Sequence, residues 1–390
     1  MSATHKQRAG ERGLVLVSTL LILSLLLVSG VGVRLMLQND HKILANLRGS
    51  TEAFYLAEAG IAWSKDEIDR TAVHPANPAN RTQNFASGLF SVSFLSTSAV
   101  SPLKARIVVR ASGTAGISTQ TLQSQITKSY DLADSAMGIR GNANGVALTG
   151  DPLLISGVDH DPVTGAAVEG AKSRPAISVP GEVLRGIVEA AAGNVQPPGL
   201  IEAGGAIPAV SQSDYLPPSA VSGLANDLCN APHALSSVVP ESGVLSVEGA
   251  SWGTPSEPQL RCIEGLAGPG DAVILGGVVN GAGILVIKNS DLAVSGSFRW
   301  EGLVVVTGSN VSFKITGVES KEIYGAVIIN ETAAPASSVV TLDIQGSVKL
   351  RFSRTALGRA VALIPGSTMA NSYNALPSTV TQDYWRLVTP

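Results

Sequence analysis

Hydrophobic positions fall along this chain in three successive regimes. From Leu14 to Val33, twenty residues pass without a charge before Arg34. At 1.5 Å per residue, a helix over this run reaches about 30 Å, the thickness of a hydrocarbon core. Helical spacing then continues through Leu35, Leu37, Ile43, Leu44, Leu47, Phe54, Leu56, Ile61 and Ile68, and no proline intervenes before Pro75. The pattern predicts one helix of about 50 residues or more, apolar in its first half and amphipathic in its second.

The second regime follows a polar connector, "HPANPANRTQ" (74–83). Three alternating segments, "GLFSVSFLS", "KARIVVRASG" and "STQTLQSQITKSY", are separated by turn residues. Each has one apolar face, as an antiparallel meander covering a helix requires. The third regime begins at Ile139, where short aliphatic runs recur between Gly, Asn and Asp. Similar pieces begin at Gly283, Gly302 and Gly325, spaced 19 and 23 residues apart. A period of about 20 residues with short β-branched strands predicts an irregular parallel β-helix, with Gly or Asn at corners that need φ > 0. An ordinary β-sandwich is the alternative. The span from 171 to about 270, rich in Pro, Ala and Ser, reads as an insertion beside the solenoid. Within it, Pro180–Gly193 is a short helix with Gly193 as its C-cap, and "QSDYLPPSAVSGLANDLC" reads as another helix start, with Ser213 or Asp214 capping poorly because Pro217 and Pro218 follow. The predicted organisation is a leader at 1–13, a helix with a small antiparallel sheet at 14–130, and a β-rich domain at 138–390.

Composition agrees with many short strands joined by tight turns. Of 390 residues, 45% are hydrophobic but only 4% aromatic, with 41 Gly and 21 Pro. A net charge of -3 excludes a nucleic-acid footprint. Lys6, Arg8 and Arg12 precede the apolar run, which keeps the short N-terminus in the cytoplasm and exports the rest. Cys229 and Cys262 are too far apart for a CxxC motif. In an exported protein they would form one disulfide; two unrelated free thiols is the reading for a cytoplasmic one.

The basic leader ending in "ERG", the run "LVLVSTLLILSLLLVSGVGV" and the helix-end text "AFYLAEAGIAW" follow one another in the first 70 residues. In that order and spacing they resemble the type IV pilin family, most closely minor pilins of the PilX type. The resemblance implies cleavage by a prepilin peptidase between Gly13 and Leu14, and an Ala-Glu-Ala-Gly motif at Ala57, Glu58, Ala59 and Gly60. It implies partnership with other pilins through the helix and with an inner-membrane assembly platform. It also implies an inner-membrane precursor that later joins a filament in the periplasm or at the cell surface. Most pilins carry a glutamate at the fifth mature position; here that position is Ser18. The missing carboxylate suits a scarce subunit at the tip or in a priming complex.

Catalytic motifs are absent: there is no HExxH, GxSxG, P-loop or dinucleotide fingerprint. The expectation is a structural subunit without enzymatic activity or cofactor. Asp159 and Asp161, beside His160 and glycines, are a weak calcium candidate lacking the EF-hand pattern; a turn in which the Asp side chains bond nearby backbone N–H groups is the favoured reading. Arg351, Arg354 and Arg359 read as a solvated basic face. Trp252, Trp300 and Trp385 suit core or cap packing of the solenoid. The alternative function is a membrane-anchored surface adhesin, or a carbohydrate-binding or carbohydrate-active β-helix protein.

Overall fold

The computed structural model describes residues 8–70 and 79–388, apart from 102, 142–144, 151, 196–199, 206, 267–270, 334–340 and 365–377. The start of the predicted leader (1–7), residues 71–73 and the first half of the polar connector (74–78) lie outside the described residues.

Helix α1 (Arg8–Arg70) runs unbroken for 63 residues, about 95 Å. It starts upstream of the predicted Leu14 and carries Gly13 within its backbone. Four strands follow: β1 (Arg81–Phe85), β2 (Gly88–Ser101), β3 (Lys104–Ala115) and β4 (Ser118–Tyr130). They form an antiparallel meander over the second half of α1. Ala53, Leu56, Ala57, Ile61 and Ile68 pack there on Phe90, Val92, Ile107, Val109, Ala111 and Ile126. The alternation in β3 is nearly complete, with every second side chain buried against the helix.

The remaining strands curl into one sheet of 16, paired in parallel throughout. The chain enters it with β5 (Met137–Arg140), β6 (Gly145–Leu148) and β7 (Leu153–Ser156). It continues through β8 (Ile177–Val179), α2 (Glu182–Gly193), β9 (Leu200–Glu202) and β10 (Val210–Gln212) to one end of the stack. Helix α3 (Pro218–Cys229) then carries it to the opposite end. From there it winds back through β11 (Leu235–Val238), β12 (Val244–Trp252), β13 (Gln259–Glu264), β14 (Ala272–Lys288) and β15 (Asp291–Val294). The last turns are β16 (Ser297–Gly308), β17 (Ser312–Ile315), β18 (Lys321–Glu331), β19 (Thr341–Ile344) and β20 (Val348–Phe352). A short helix, α4 (Arg354–Val361), closes the winding.

The register explains the glycine spacing. Gly283 pairs with Gly302, and Gly302 with Gly325. All three have positive φ (120°, 141° and 136°), and a Cβ on either of the last two would penetrate the carbonyl oxygen of the glycine before it. Asn289 and Asn310 take the left-handed conformation at other corners. Around these bends, aliphatic residues such as Ile284, Val286, Leu303, Val305, Val327 and Ile329 stack in a continuous core.

Several sequence readings need correction. The span 171–270 is not an insertion beside the curled sheet: β8 to β13 are rungs of it, and of its described helices and strands α2 and α3 lie outside the ladder. These strands are short and flanked by Pro and Ser, so their text hides their pairing. Helix α2 is C-capped by Asn194 in the right-handed region, not by Gly193. Helix α3 starts at Pro218, beyond Ser213 and Asp214, and the missing N–H of Pro218 costs nothing in the first turn. The final strand β21 (Ser378–Leu387) belongs to the first sheet, antiparallel to β4, so the β domain is inserted between these two strands. Trp385 therefore lies outside the curled sheet, edge-on to Phe54 of α1 with ring centroids 6.0 Å apart.

Candidate functional site: the amino-terminal helix

Over Val15–Leu37 the apolar side chains of α1 touch nothing else in the protein: each is more than half exposed. Among the described residues, α1 alone is long and apolar enough to cross a membrane, with a window of mean hydropathy 2.4 and none of it buried. Three of its hydroxyls bond back to the helix itself. Ser18 Oγ donates to the Val15 carbonyl at 2.9 Å, Thr19 to Val15 at 2.8 Å and Ser24 to Leu21 at 2.8 Å. Hydroxyls bonded back to their own helix in this way are compatible with lipid. Gly13 and Leu14 lie within the helical backbone.

The second half changes character through small residues. Ala53, Ala57, Gly60 and Ser64 form a fully buried stripe at helical spacing. Opposite Ala53 and Ala57 sits Gly113 of β3, where a Cβ would overlap the Ala53 carbonyl and the Ala57 nitrogen. At Gly60 a Cβ would lie 2.9 Å from the Ala111 methyl and 3.3 Å from Phe90 and Val92. Within the Ala-Glu-Ala-Gly motif, Ala57 and Gly60 thus set a close helix–sheet contact, while Glu58 and Ala59 face outward. They wall a groove of about 470 Å³ with Tyr55, Lys65, Gln382 and Trp385.

The helix ends on a residue that sequence reading missed. Lys128 of β4, 2% exposed, donates to the carbonyls of Ile68 at 2.6 Å and Asp69 at 2.9 Å. It supplies a cation where the helix dipole is negative and satisfies two end carbonyls. Burial pushes its pKa down to about 8, with Asp69 pulling the other way. A lysine in the middle of an alternating strand gives no signal of this role; only the fold brings it to the end of α1.

On the β domain, the carboxylates of Asp159 and Asp161 are occupied by nearby donors. Asp161 Oδ1 accepts the N–H groups of Val163 (3.0 Å) and Thr164 (2.8 Å), and Asp159 Oδ1 accepts that of Arg354 at the start of α4 (2.9 Å). Among the described residues no cluster of three or more His, Cys, Asp or Glu could hold a metal ion. Burial lowers the pKa of neighbouring His160, whose Nδ1 lies 2.7 Å from the Val158 carbonyl. The three arginines do not form a free basic face. Arg351 donates to Tyr324 Oη at 2.6 Å, Arg354 to the Lys172 carbonyl at 2.7 Å and Arg359 to Glu301 at 3.0 Å. Arg299 and Arg351 both stack on the Tyr324 ring. Cys229 of α3 and Cys262 of β13 are joined by a disulfide, with Cα atoms 5.4 Å apart.

No known family model matches the chain, and no curated protein matches it in sequence. Among solved structures it is weakly similar to the competence-associated pilin ComZ from Thermus thermophilus. Sequence identity is 13%, with 87% of this chain and 97% of that one covered, at a TM-score of 0.27.

Proposed function

We propose that the chain is a minor-pilin-like subunit of a type IV pilus or related pseudopilus, placed at the tip or in the priming complex. The observation that carries this reading is the division of α1. One half is apolar on all sides and projects free of the protein; the other is fastened by a small-residue stripe to an antiparallel sheet. Such a helix can exchange lipid for the apolar helices of neighbouring subunits at little hydrophobic cost, because both surroundings are equally apolar. Ser18, bonded only to its own helix, offers no carboxylate to a neighbour's amino terminus, which suits a scarce subunit over a repeating one. The curled sheet is read as an irregular parallel β-helix, supported by the ladders linking Gly283, Gly302 and Gly325. Its role in this proposal is display, not catalysis.

The test is the amino terminus of the protein made with and without a prepilin peptidase. A chain starting at Leu14 only in the presence of the peptidase supports the proposal. A chain that keeps its leader in both cases overturns it in favour of a plain membrane-anchored surface protein.

A further inference from the structure

The start of α3 and the end of β18 wall a cleft of about 520 Å³, lined among others by Ser219, Ser222, Glu331 and Thr332. Glu331 is 2% exposed. Its Oε1 accepts the backbone N–H groups of Asn310 at 3.0 Å and Ala333 at 2.6 Å, which fixes the orientation of the carboxylate. Its Oε2 is buried, and no donor reaches it among the described residues. The ion pairs of the β domain do not include this residue. The adjoining stretches 142–144 ("NAN") and 334–340 ("APASSVV") carry no Lys or Arg that could serve. A buried carboxylate oxygen with no donor is costly to keep, and buried charges are ordinarily paired.

We propose that this cleft binds a primary ammonium group, the chemistry of a lysine side chain or of a chain's amino terminus. One uncompensated carboxylate matches one positive charge, and Ser219 and Thr332, which also line the cleft, carry hydroxyls that can accept the remaining N–H donors. A hard metal ion wants six or more oxygen ligands with several carboxylates, and no such cluster is present among the described residues. An anion would meet the free end of α3 but also Glu331, with no cationic side chain lining the cleft. The volume accommodates an alkyl chain with part of its peptide.

The test uses the full chain in detergent micelles, reading its thermal midpoint against increasing Nα-acetyl-lysine methylamide, n-butylammonium chloride, calcium chloride or sodium acetate. A saturable rise is expected with the lysine derivative and none with acetate. An equal rise with butylammonium means that the amine alone suffices; no rise with it means that the flanking peptide is also recognised. Both outcomes support an ammonium site. Glu331→Gln should raise the half-saturating concentration at least tenfold. Ser219→Leu, on the exposed start of α3, should do the same by filling the cleft mouth, and it decides the matter if the first variant fails to fold. The proposal is overturned by no saturable rise with the lysine derivative, by unchanged binding in a folded Glu331→Gln or in Ser219→Leu, or by stabilisation with calcium alone.

Discussion

Gly302 sits where two constraints meet at one atom. Its φ of 141° disfavours any side chain, and the Gly283 carbonyl occupies the space a Cβ would need. Gly302→Ala should therefore cost about 3 kcal/mol or more, at the upper end of single substitutions. Gly186, on the exposed surface of α2 with nothing near its Cβ position, should gain slightly on the same change. Equal midpoints for the two variants in urea unfolding would refute the assignment. Lys128 gives a second prediction, with a definite sign. Its folded pKa of about 8 lies below its ordinary 10.5, so between these values the unfolded chain holds a proton that the folded one has lost. Stability should then rise with pH from about 8 to 10.5, by at most about 1.4 kcal/mol per unit. Denaturant unfolding of wild type and Lys128→Gln at pH 7.5 and 9.5 isolates the effect. The gap must shift toward wild type at the higher pH, and a constant gap means that Lys128 is not perturbed.

At the scale of elements, the Ala-Glu-Ala-Gly motif has two faces with separable duties. Gly60→Leu forces a side chain against Ala111, Phe90 and Val92, and should cost about 2–4 kcal/mol as α1 is pushed off the sheet. Glu58→Gln, outward-facing, should stay within about 0.5 kcal/mol of wild type. If thermal unfolding ranks them the other way, the motif's packing role is wrong. The same elements show what was legible in the text. The strand β4 coincides with "STQTLQSQITKSY", because a strand with one buried face writes its period into the sequence. The helix was legible for the same reason. β1 was not, since "RTQNF" is an edge strand with almost no buried face to leave a pattern. β21 has strand-like text, but its partner β4 is some 250 residues away, and local periodicity carries no information about partners. The Lys128 contact and the Glu331 cleft were invisible likewise: each depends on which elements meet, not on spacing along the chain.

Over the whole molecule, winding order and chain order differ. The turns would run without a break if the chain passed from Phe352 directly to Met137, because Gly325 pairs with Phe352 and Val327, two residues on, pairs with Met137. The β domain therefore joins the first sheet, at β5 and after β20, from the middle of its stack. From the middle of the stack toward its β11 end the chain is carried by α3. At 12 residues it spans about 18 Å, enough to cross the three strand spacings, about 14 Å, from β18 to β13. Both its ends are fastened: Asn330 of β18 donates to the Pro218 carbonyl and Ser222 Oγ, each at 3.0 Å, and Cys229 is bonded to Cys262 of β13.

This arrangement predicts where the disulfide acts. A closed loop of 33 residues constrains the unfolded chain by about 3–4 kcal/mol. Its removal should also act locally, because β11 and β12 are the outermost rungs of one end, each paired on one side only, and β13 sits at that end between β11 and β14. Replacing both cysteines by serine should speed hydrogen exchange in β11, β12 and β13 by a hundredfold or more. Exchange in β5, β18 and β20, held between rungs on both sides, should change far less. A uniform acceleration across all these strands would mean that the stack opens only as a whole, and that α3 is not the strap that holds its far end.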